Sequence, residues 1–287
     1  MHKKYRVNEK NNFRIDDFPK DEKDRKMTKE ESLFLLEKNI QEIDELQQKL
    51  YAEKKEGVIF LFQAMDAAGK DGTIRHVLTS LSPQGVRECP FKAPSKEELS
   101  HDFLWRIHNK VPSRGNIAIF NRSQYEDVLI VKVKELYKYS NFPSRIDLDD
   151  VIDNRYEDIN YFENYLYRNG IRTVKIFLNV SKEEQAKRFL ERIEEPEKNW
   201  KFDEGDLEER KLWDSYQEAF EDAIRKTSNK NCPWYVVPAD DKWYMRLVVS
   251  EIVLEVLKDI NPKYPTLSKA RVEEFDKYRK LLEEEID

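Results

Sequence analysis

A mostly apolar run that leads to a Gly-Lys pair constrains the fold of this chain more than any other feature. Residues 58–64 read VIFLFQA, Gly69 and Lys70 follow, and a helix-like segment comes next. This layout is typical of a phosphate-binding loop, in which backbone N–H groups at a helix N-terminus and one lysine surround a phosphate chain. The sequence therefore predicts an α/β fold with an anion site after its first strand.

The loop departs from the usual G-x-x-x-x-G-K-[ST] spacing at two positions. Ala64 stands where the first glycine is expected, and Asp71 replaces the Ser or Thr whose hydroxyl would hold Mg²⁺. Lys70 keeps its position and its predicted role. A metal ion would therefore have to be held by other residues.

Composition narrows the class of protein. A length of 287 residues without a low-complexity linker suits one α/β domain with extra helices. Two cysteines are too few for a disulfide framework, and the N-terminus lacks the apolar core of a signal peptide. No apolar run approaches the length of a membrane span, about 20 residues. We therefore expect a cytoplasmic protein without a membrane partner. The net charge of −6 argues against a nucleic-acid partner, so a phosphate site needs positive charge concentrated locally.

Apolar periodicity predicts strands that alternate with helices. Beyond the first strand, which begins at Gly57, strands are expected at 116–121, 173–180 and Trp234–Pro238. Helices are expected at 28–54, 95–110, 152–169, 182–193, 207–226 and 242–258. This alternation implies a parallel sheet with right-handed crossovers, which binds ligands at the carboxyl ends of its strands.

A second polar motif, FNRSQYED at 120–127, comes directly after an apolar strand. In P-loop kinases the end of a neighbouring strand supplies an acidic group for Mg²⁺ and an arginine for the acceptor phosphate. Here that strand ends in Asn121, and Arg122, Glu126 and Asp127 follow. The alternative is a set of solvated charges at a helix start. Lys70 upstream favours the functional interpretation.

A third group of charges lies in a segment that Pro196 interrupts. Arg188 and Arg192 are four residues apart on one helical face, and Lys198 and Lys201 follow. These cations suit a mobile lid that closes on a transferring phosphoryl group and excludes water. On composition alone, a solvated helix face paired with neighbouring glutamates is the favoured interpretation.

Four motifs in this order resemble the polyphosphate kinase 2 family, whose members move phosphoryl groups between inorganic polyphosphate and nucleotides. They are QAMDAAGKDGTIRHV, SPQGVRECPFKAPSKEELSHDFLWRIH, FNRSQYEDVL, and KNWKF followed by DLEERKLWDSYQEAF. The resemblance runs over about 29–262, with a lid around 184–206, and leaves an N-terminal extension at 1–28 and a charged helical tail at 263–287. It implies the three-layer α/β/α P-loop kinase fold of the thymidylate-kinase type.

The resemblance also implies roles for individual residues. Polyphosphate would bind to the loop and to one lid lysine, namely Ala67, Ala68, Gly69, Lys70, Asp71, Gly72, Thr73 and Lys201. Nucleotide contacts would come from Arg106, Asn121, Arg122, Glu126 and Asp127. The catalytic residues would be Asp66, Lys70, Arg122, Asp127, Arg188 and Arg192. Because Asn121 lacks the carboxylate found in other branches of the family, we expect Asp66 and Asp127 to hold Mg²⁺, or Mn²⁺ in its place. For Asp66 a second role, orienting the acceptor, stays open.

The asparagine form of the second motif resembles class III of the family, which is associated with phosphorylation of AMP as well as ADP. It implies reversible, Mg²⁺-assisted transfer from polyphosphate to AMP and ADP, giving ADP and ATP, in a homodimer or homotetramer. Two alternatives stay open: an ATP-dependent nucleoside monophosphate kinase of the same fold, and a non-catalytic P-loop nucleotide-binding module. Cations contributed by three separate segments argue against the second alternative.

Overall fold

The computed structural model describes residues 2–8, 12–21, 27–78 and 81–286. Its centre is a five-stranded parallel sheet in the order β2-β3-β1-β4-β5. The strands are β1 (Gly57–Ala64), β2 (Val86–Pro90), β3 (Ile117–Asn121), β4 (Ile171–Asn179) and β5 (Trp234–Pro238). Phe62 of β1 pairs in register with Asn121 of β3, so the carboxyl ends of the two strands that carry the polar motifs lie side by side.

Helices cover both faces of this sheet. Within the described residues they are α1 (Lys29–Glu53), α2 (Lys70–Val77), α3 (Lys96–Ser100), α4 (Trp105–His108), α5 (Ile130–Val133), α6 (Val151–Arg168), α7 (Lys182–Glu194), α8 (Glu204–Lys211), α9 (Trp213–Thr227), α10 (Lys242–Ile260) and α11 (Lys269–Ile286). The predicted α/β/α class is confirmed.

The longest helix shows how sequence sets the packing. A capping box between Thr28 and Glu31 starts α1, because each side chain accepts a hydrogen bond from the other's backbone N–H. Leu36, Ile43 and Leu50 recur every seven residues on its buried face, and α1 packs along α10. Helix α10 also packs against β5 and α2, so this pair of helices supports the helix that follows the phosphate loop.

The structure corrects two of the predicted helices. The segment predicted as one helix at 95–110 forms two short helices, because α3 ends at Ser100 and the Asp102 carboxylate accepts a hydrogen bond from the N–H of Leu104 at 3.0 Å. The helix predicted at 207–226 is broken at Leu212 into α8 and α9. The edge strand β2 was not predicted, and three of its five residues are exposed, which leaves little apolar pattern.

The segments outside the predicted domain differ in their contacts. In 2–8, the N–H of Val7 donates to the carbonyl of Trp234 at 2.9 Å, and the hydroxyls of Tyr5 and Tyr244 lie 3.0 Å apart, so this stretch packs on β5 and α10. The final helix, α11, has no buried residue. None of the helices in the described ranges is both long and apolar enough to cross a membrane.

Candidate active site

The turn between β1 and α2 forms the phosphate loop. Gly69 adopts a φ of +97°, and a Cβ at this position would lie 3.1 Å from the terminal methyl carbon of Met245, so conformation and space both favour glycine. Helix α2 begins at the next residue, Lys70. The free N–H groups of this helix start therefore face the end of β1, where an anion is stabilised.

A cleft of about 420 Å³ opens at this loop, and its lining is strongly basic. Its basic side chains are Lys70, Arg75, Arg122, Arg188, Arg192, Lys198, Lys201, Lys242 and Arg246, nine in all, and its acidic side chains are Asp66, Asp71 and Glu191. The whole chain carries a net charge of −6. The positive charge expected for a phosphate site is therefore concentrated in one cleft.

Lys70 is partly buried in the cleft floor between charges of both signs. Burial and the neighbouring Arg122 lower the pKa of Lys70, while Glu126, Asp66 and Asp71 act in the opposite direction. An anion bound at the loop would favour the charged ammonium. Lys70 thus lies where its ammonium would be next to an anion bound at the loop.

The second motif reaches the loop through Asn121 and Arg122. Arg122 has a φ of +64°, and its Nη2 donates to Oδ1 of Asp66 at 3.1 Å. The Asn121 amide donates to the carboxylates of Asp71 and Glu88, both at 3.0 Å. An aspartate at position 121 would add a third carboxylate to this pair, so the amide is the residue that suits the site.

The two acidic residues that end the motif take different directions. Glu126 lines a second cavity of about 260 Å³ together with Asp66 and Asp206. Asp127 lines neither cavity, and its carboxylate is 3.5 Å from the guanidinium of Arg155. Burial raises the pKa of Asp127 to about 6. The structure therefore brings Glu126 to Asp66, but not Asp127.

The two lid arginines also differ. Arg188 is only 4% exposed, so it is not a solvent-facing lid cation. Its guanidinium donates to the carbonyls of Ala67 at 3.1 Å, Ala239 at 2.7 Å and Asp240 at 2.9 Å. Arg192 is 20% exposed and pairs with Asp206 at 2.9 Å. Arg188 thus holds the phosphate loop through the carbonyl of Ala67, whereas Arg192 links α7 to α8 through Asp206.

Two alanine substitutions should separate these roles. Arg188→Ala leaves the carbonyls of three residues without their hydrogen-bond donor. We therefore expect the free energy of unfolding to fall by about 2–3 kcal/mol and the melting temperature by about 5–10 °C. Arg192→Ala breaks one partly exposed ion pair, so it should lower the free energy of unfolding by only about 0–1 kcal/mol. Both variants should slow turnover by about tenfold. Thermal melts and steady-state kinetics check this, and equal melting temperatures would contradict it.

The remaining predicted residues lie at different distances from the cleft. The loop residues from Ala67 to Gly72 and Lys201 line it, whereas Thr73 is buried and its hydroxyl donates to the Gly69 carbonyl at 3.0 Å. Arg106 lines neither cavity; it donates to the Lys92 carbonyl at 2.7 Å and lies over the Phe91 ring.

Three cleft cations were not predicted. Arg75 lies on α2, and Lys242 and Arg246 lie on α10. The i, i+4 spacing of Lys242 and Arg246 at the start of the helix after β5 was the available signal.

Strand order, loop and cleft together define a P-loop kinase of the α/β/α class. The family model for polyphosphate kinase 2 (PPK2) matches residues 24–265, so this chain belongs to that family. The resemblance inferred from the four motifs is confirmed.

Individual relatives match over most of their length. An "ADP-polyphosphate phosphotransferase" from Rhodopseudomonas palustris is 47% identical over 89% of each chain. An "AMP/ADP-polyphosphate phosphotransferase" from Meiothermus ruber is 45% identical over 92% of this chain and 95% of its own. A crystal structure of polyphosphate kinase 2 from Arthrobacter aurescens TC1 superposes with a TM-score of 0.88 at 38% identity, covering 98% of this chain and 96% of that one.

Proposed function

We propose that this chain transfers a phosphoryl group from inorganic polyphosphate to AMP and ADP, giving ADP and ATP, and that the reaction is reversible. The observation that carries the proposal is the cleft with nine basic and three acidic side chains at a phosphate loop. One nucleotide would not need cations from α2, α7, α10 and the segment after β3 together. Two polyanions that must be held side by side would.

Arg75 and Arg246 best account for binding of the phosphoryl donor, polyphosphate, in this site. Burial lowers the pKa of Arg246, and repulsion from the charge of Arg75 is the second, smaller cause of the same shift. Among the described residues, the buried Nε of Arg246 has no hydrogen-bond partner. An added anion stabilises two like positive charges that lie close together. It also accepts a hydrogen bond from a donor that has no other partner. We therefore assign this end of the cleft to the polyphosphate chain.

Arg246→Ala tests the donor assignment. Loss of one charge-assisted contact should raise the KM for polyphosphate about tenfold and leave the KM for the nucleotide within about twofold. Lys258→Ala is the matched control, because Lys258 lies on the same helix and pairs with Glu42 away from the cleft. Equal polyphosphate KM values for the two variants would contradict the assignment.

The reaction needs alignment more than acid–base chemistry. A phosphate oxygen of the acceptor forms a bond to the terminal phosphorus of the donor, and the bond from that phosphorus to the bridging oxygen breaks. The attacking oxygen is already anionic, so no strong base is required. Lys70 and Arg122 neutralise the charge around the transferred group, and Arg192 with Lys201 excludes water from above.

The acidic side chains fit a divalent cation, which in this proposal is Mg²⁺, with Mn²⁺ able to replace it. Burial and the nearby Asp66 raise the pKa of Asp206, so these two carboxylates repel one another. The described residues hold no ready-made cluster of three or more metal ligands. Mg²⁺ is usually held by one or two carboxylates with substrate phosphates, so Asp66 and Glu126 would suffice, and the ion would offset phosphate charge.

The nature of the acceptor decides between the proposal and its alternatives. The two relatives differ in name, one for ADP and the other for AMP and ADP. AMP mixed with long-chain polyphosphate and Mg²⁺ should give ADP and then ATP with no ATP supplied. Phosphorylation of ADP alone would overturn the AMP assignment. Turnover that needs ATP and ignores polyphosphate would select a nucleoside monophosphate kinase, and no turnover with either donor would select a binding module.

The family resemblance also supports a homodimer or homotetramer. Sedimentation of the purified chain measures this directly, and a monomer at micromolar concentration would contradict it.

A further inference from the structure

A charged pair lies fully buried beneath the second motif. The Nζ of Lys175 on β4 is 2.5 Å from Oε2 of Glu163 on α6, and both side chains are 0% exposed. The same ammonium donates to the carbonyl of Thr227 at 2.9 Å. Removing two charges from water costs several kcal/mol per ion, and the attraction between them often only offsets this cost. Stability alone is therefore a poor reason for this pair.

The free oxygen of Glu163 connects the pair to the motif. Oε1 accepts a hydrogen bond from the hydroxyl of Tyr125 at 2.9 Å and lies 3.3 Å from the donating amide of Gln124. Tyr125 is 0% exposed and Gln124 is 2% exposed, and neither lines the cleft. Both stand in sequence between Arg122, which lines the cleft, and Glu126, which lines the second cavity beside it.

This short segment needs external support. The chain leaves β3 through Arg122 in the left-handed region, at a φ of +64°, which costs energy for a residue with a side chain. It then enters a 3₁₀ turn at Gln124–Val128. Ser123 supports the turn from one side, because its hydroxyl accepts from the N–H of Tyr125 and from the amide of Gln63, both at 3.2 Å. Glu163 supports it from the other side.

We propose that Glu163 and Lys175 are positioning residues for phosphoryl transfer, which hold Tyr125 and Gln124 so that Arg122 faces the cleft and Glu126 faces the second cavity, which Asp66 also lines. This inference rests on the proposed roles of Arg122 and Glu126. Lys175 keeps Glu163 available as an acceptor: burial raises the pKa of Glu163, and the adjacent ammonium acts against that rise. An ionised carboxylate accepts from both motif side chains more strongly than a protonated carboxyl would, and an apolar residue would accept from neither.

Tyr125→Phe tests the connection with little change in packing. The ring keeps its edge contact with Trp234, and the substitution removes the hydroxyl, which contacts Glu163 and the Thr227 hydroxyl. Because small displacements of catalytic groups have large kinetic effects, we expect kcat/KM for the nucleotide to fall about tenfold, with the KM for polyphosphate within about twofold.

Thr227→Val is the matched control, because it also removes one buried hydroxyl from this cluster. The Thr227 hydroxyl accepts from the indole N–H of Trp234 at 2.9 Å, donates to the carbonyl of Ala223 at 2.6 Å and lies 2.9 Å from the Tyr125 hydroxyl. Within the described residues it makes no hydrogen bond to Glu163 or Gln124, so Thr227→Val leaves the bond between Tyr125 and Glu163 in place. Both variants should lose a few degrees of melting temperature, but Thr227→Val should keep the wild-type kcat/KM. Equal kinetic effects of the two substitutions, whether large or absent, would overturn the inference.

Arg122→Ala, measured in parallel, separates this inference from the proposed site. If Arg122→Ala is as active as the wild type, the site assignment itself fails. If Arg122→Ala is inactive while Tyr125→Phe is fully active, only the positioning role of Glu163 and Lys175 fails.

Discussion

Lys70→Ala is expected to slow turnover by about 10²–10³-fold, because removing one group that stabilises the transition state typically costs a few kcal/mol. Lys70 is the first residue of α2, where the backbone N–H groups would contact the same bound phosphate as its ammonium. The alanine should not unfold the protein, since burial already lowers the pKa of Lys70 and so disfavours its charged form in the folded state. Steady-state kinetics with polyphosphate and ADP measure the rate, and a thermal melt confirms the fold.

The outcome also distinguishes binding from catalysis. If Lys70 acts mainly in the transition state, kcat falls and the KM for both substrates changes little. A rise in the polyphosphate KM with kcat preserved would make Lys70 a binding residue, and wild-type kinetics would remove it from the mechanism.

The strands and the phosphate loop could be predicted because their signals are local. β1, β3, β4 and β5 are buried parallel strands, so they read as apolar runs bounded by polar residues. The loop is recognisable from Gly69 and Lys70 alone. By contrast, β2 lies at the sheet edge with Arg87 and Glu88 exposed, and an edge strand of this kind has no clear apolar pattern.

The environment of the charged residues could not be predicted in the same way. Helical spacing correctly places Arg188 and Arg192 on one helix, but Arg188 is buried by carbonyls from Ala67, Ala239 and Asp240. Those residues come from two loops that are distant in sequence. Whether a charge faces solvent or supports a loop thus depends on tertiary contacts, which local periodicity does not encode.

The same limit applies to the carboxylate that would hold the metal. Glu126 and Asp127 are adjacent in the motif, and only the 3₁₀ turn decides which of the two carboxylates lies on the side of Asp66. Glu126 shares a cavity with Asp66, whereas Arg155 bonds both the carbonyl of Asp127, at 2.9 Å, and its carboxylate, at 3.5 Å. Asp127 therefore fastens the turn to α6, and we expect Glu126 to act with Asp66.

Two isosteric substitutions decide between these carboxylates. Glu126→Gln should raise the Mg²⁺ concentration for half-maximal rate by about tenfold and lower kcat by about 10²-fold, because hard Mg²⁺ prefers anionic oxygen and the transferring phosphoryl group would lose its counter-charge. Asp127→Asn is the matched control and should keep kcat within about threefold with an unchanged Mg²⁺ curve. Mg²⁺ titrations of both variants at saturating polyphosphate and ADP measure this. The opposite result, a shifted curve for Asp127→Asn only, would return the metal role to Asp127 and require the turn to rearrange when substrates bind.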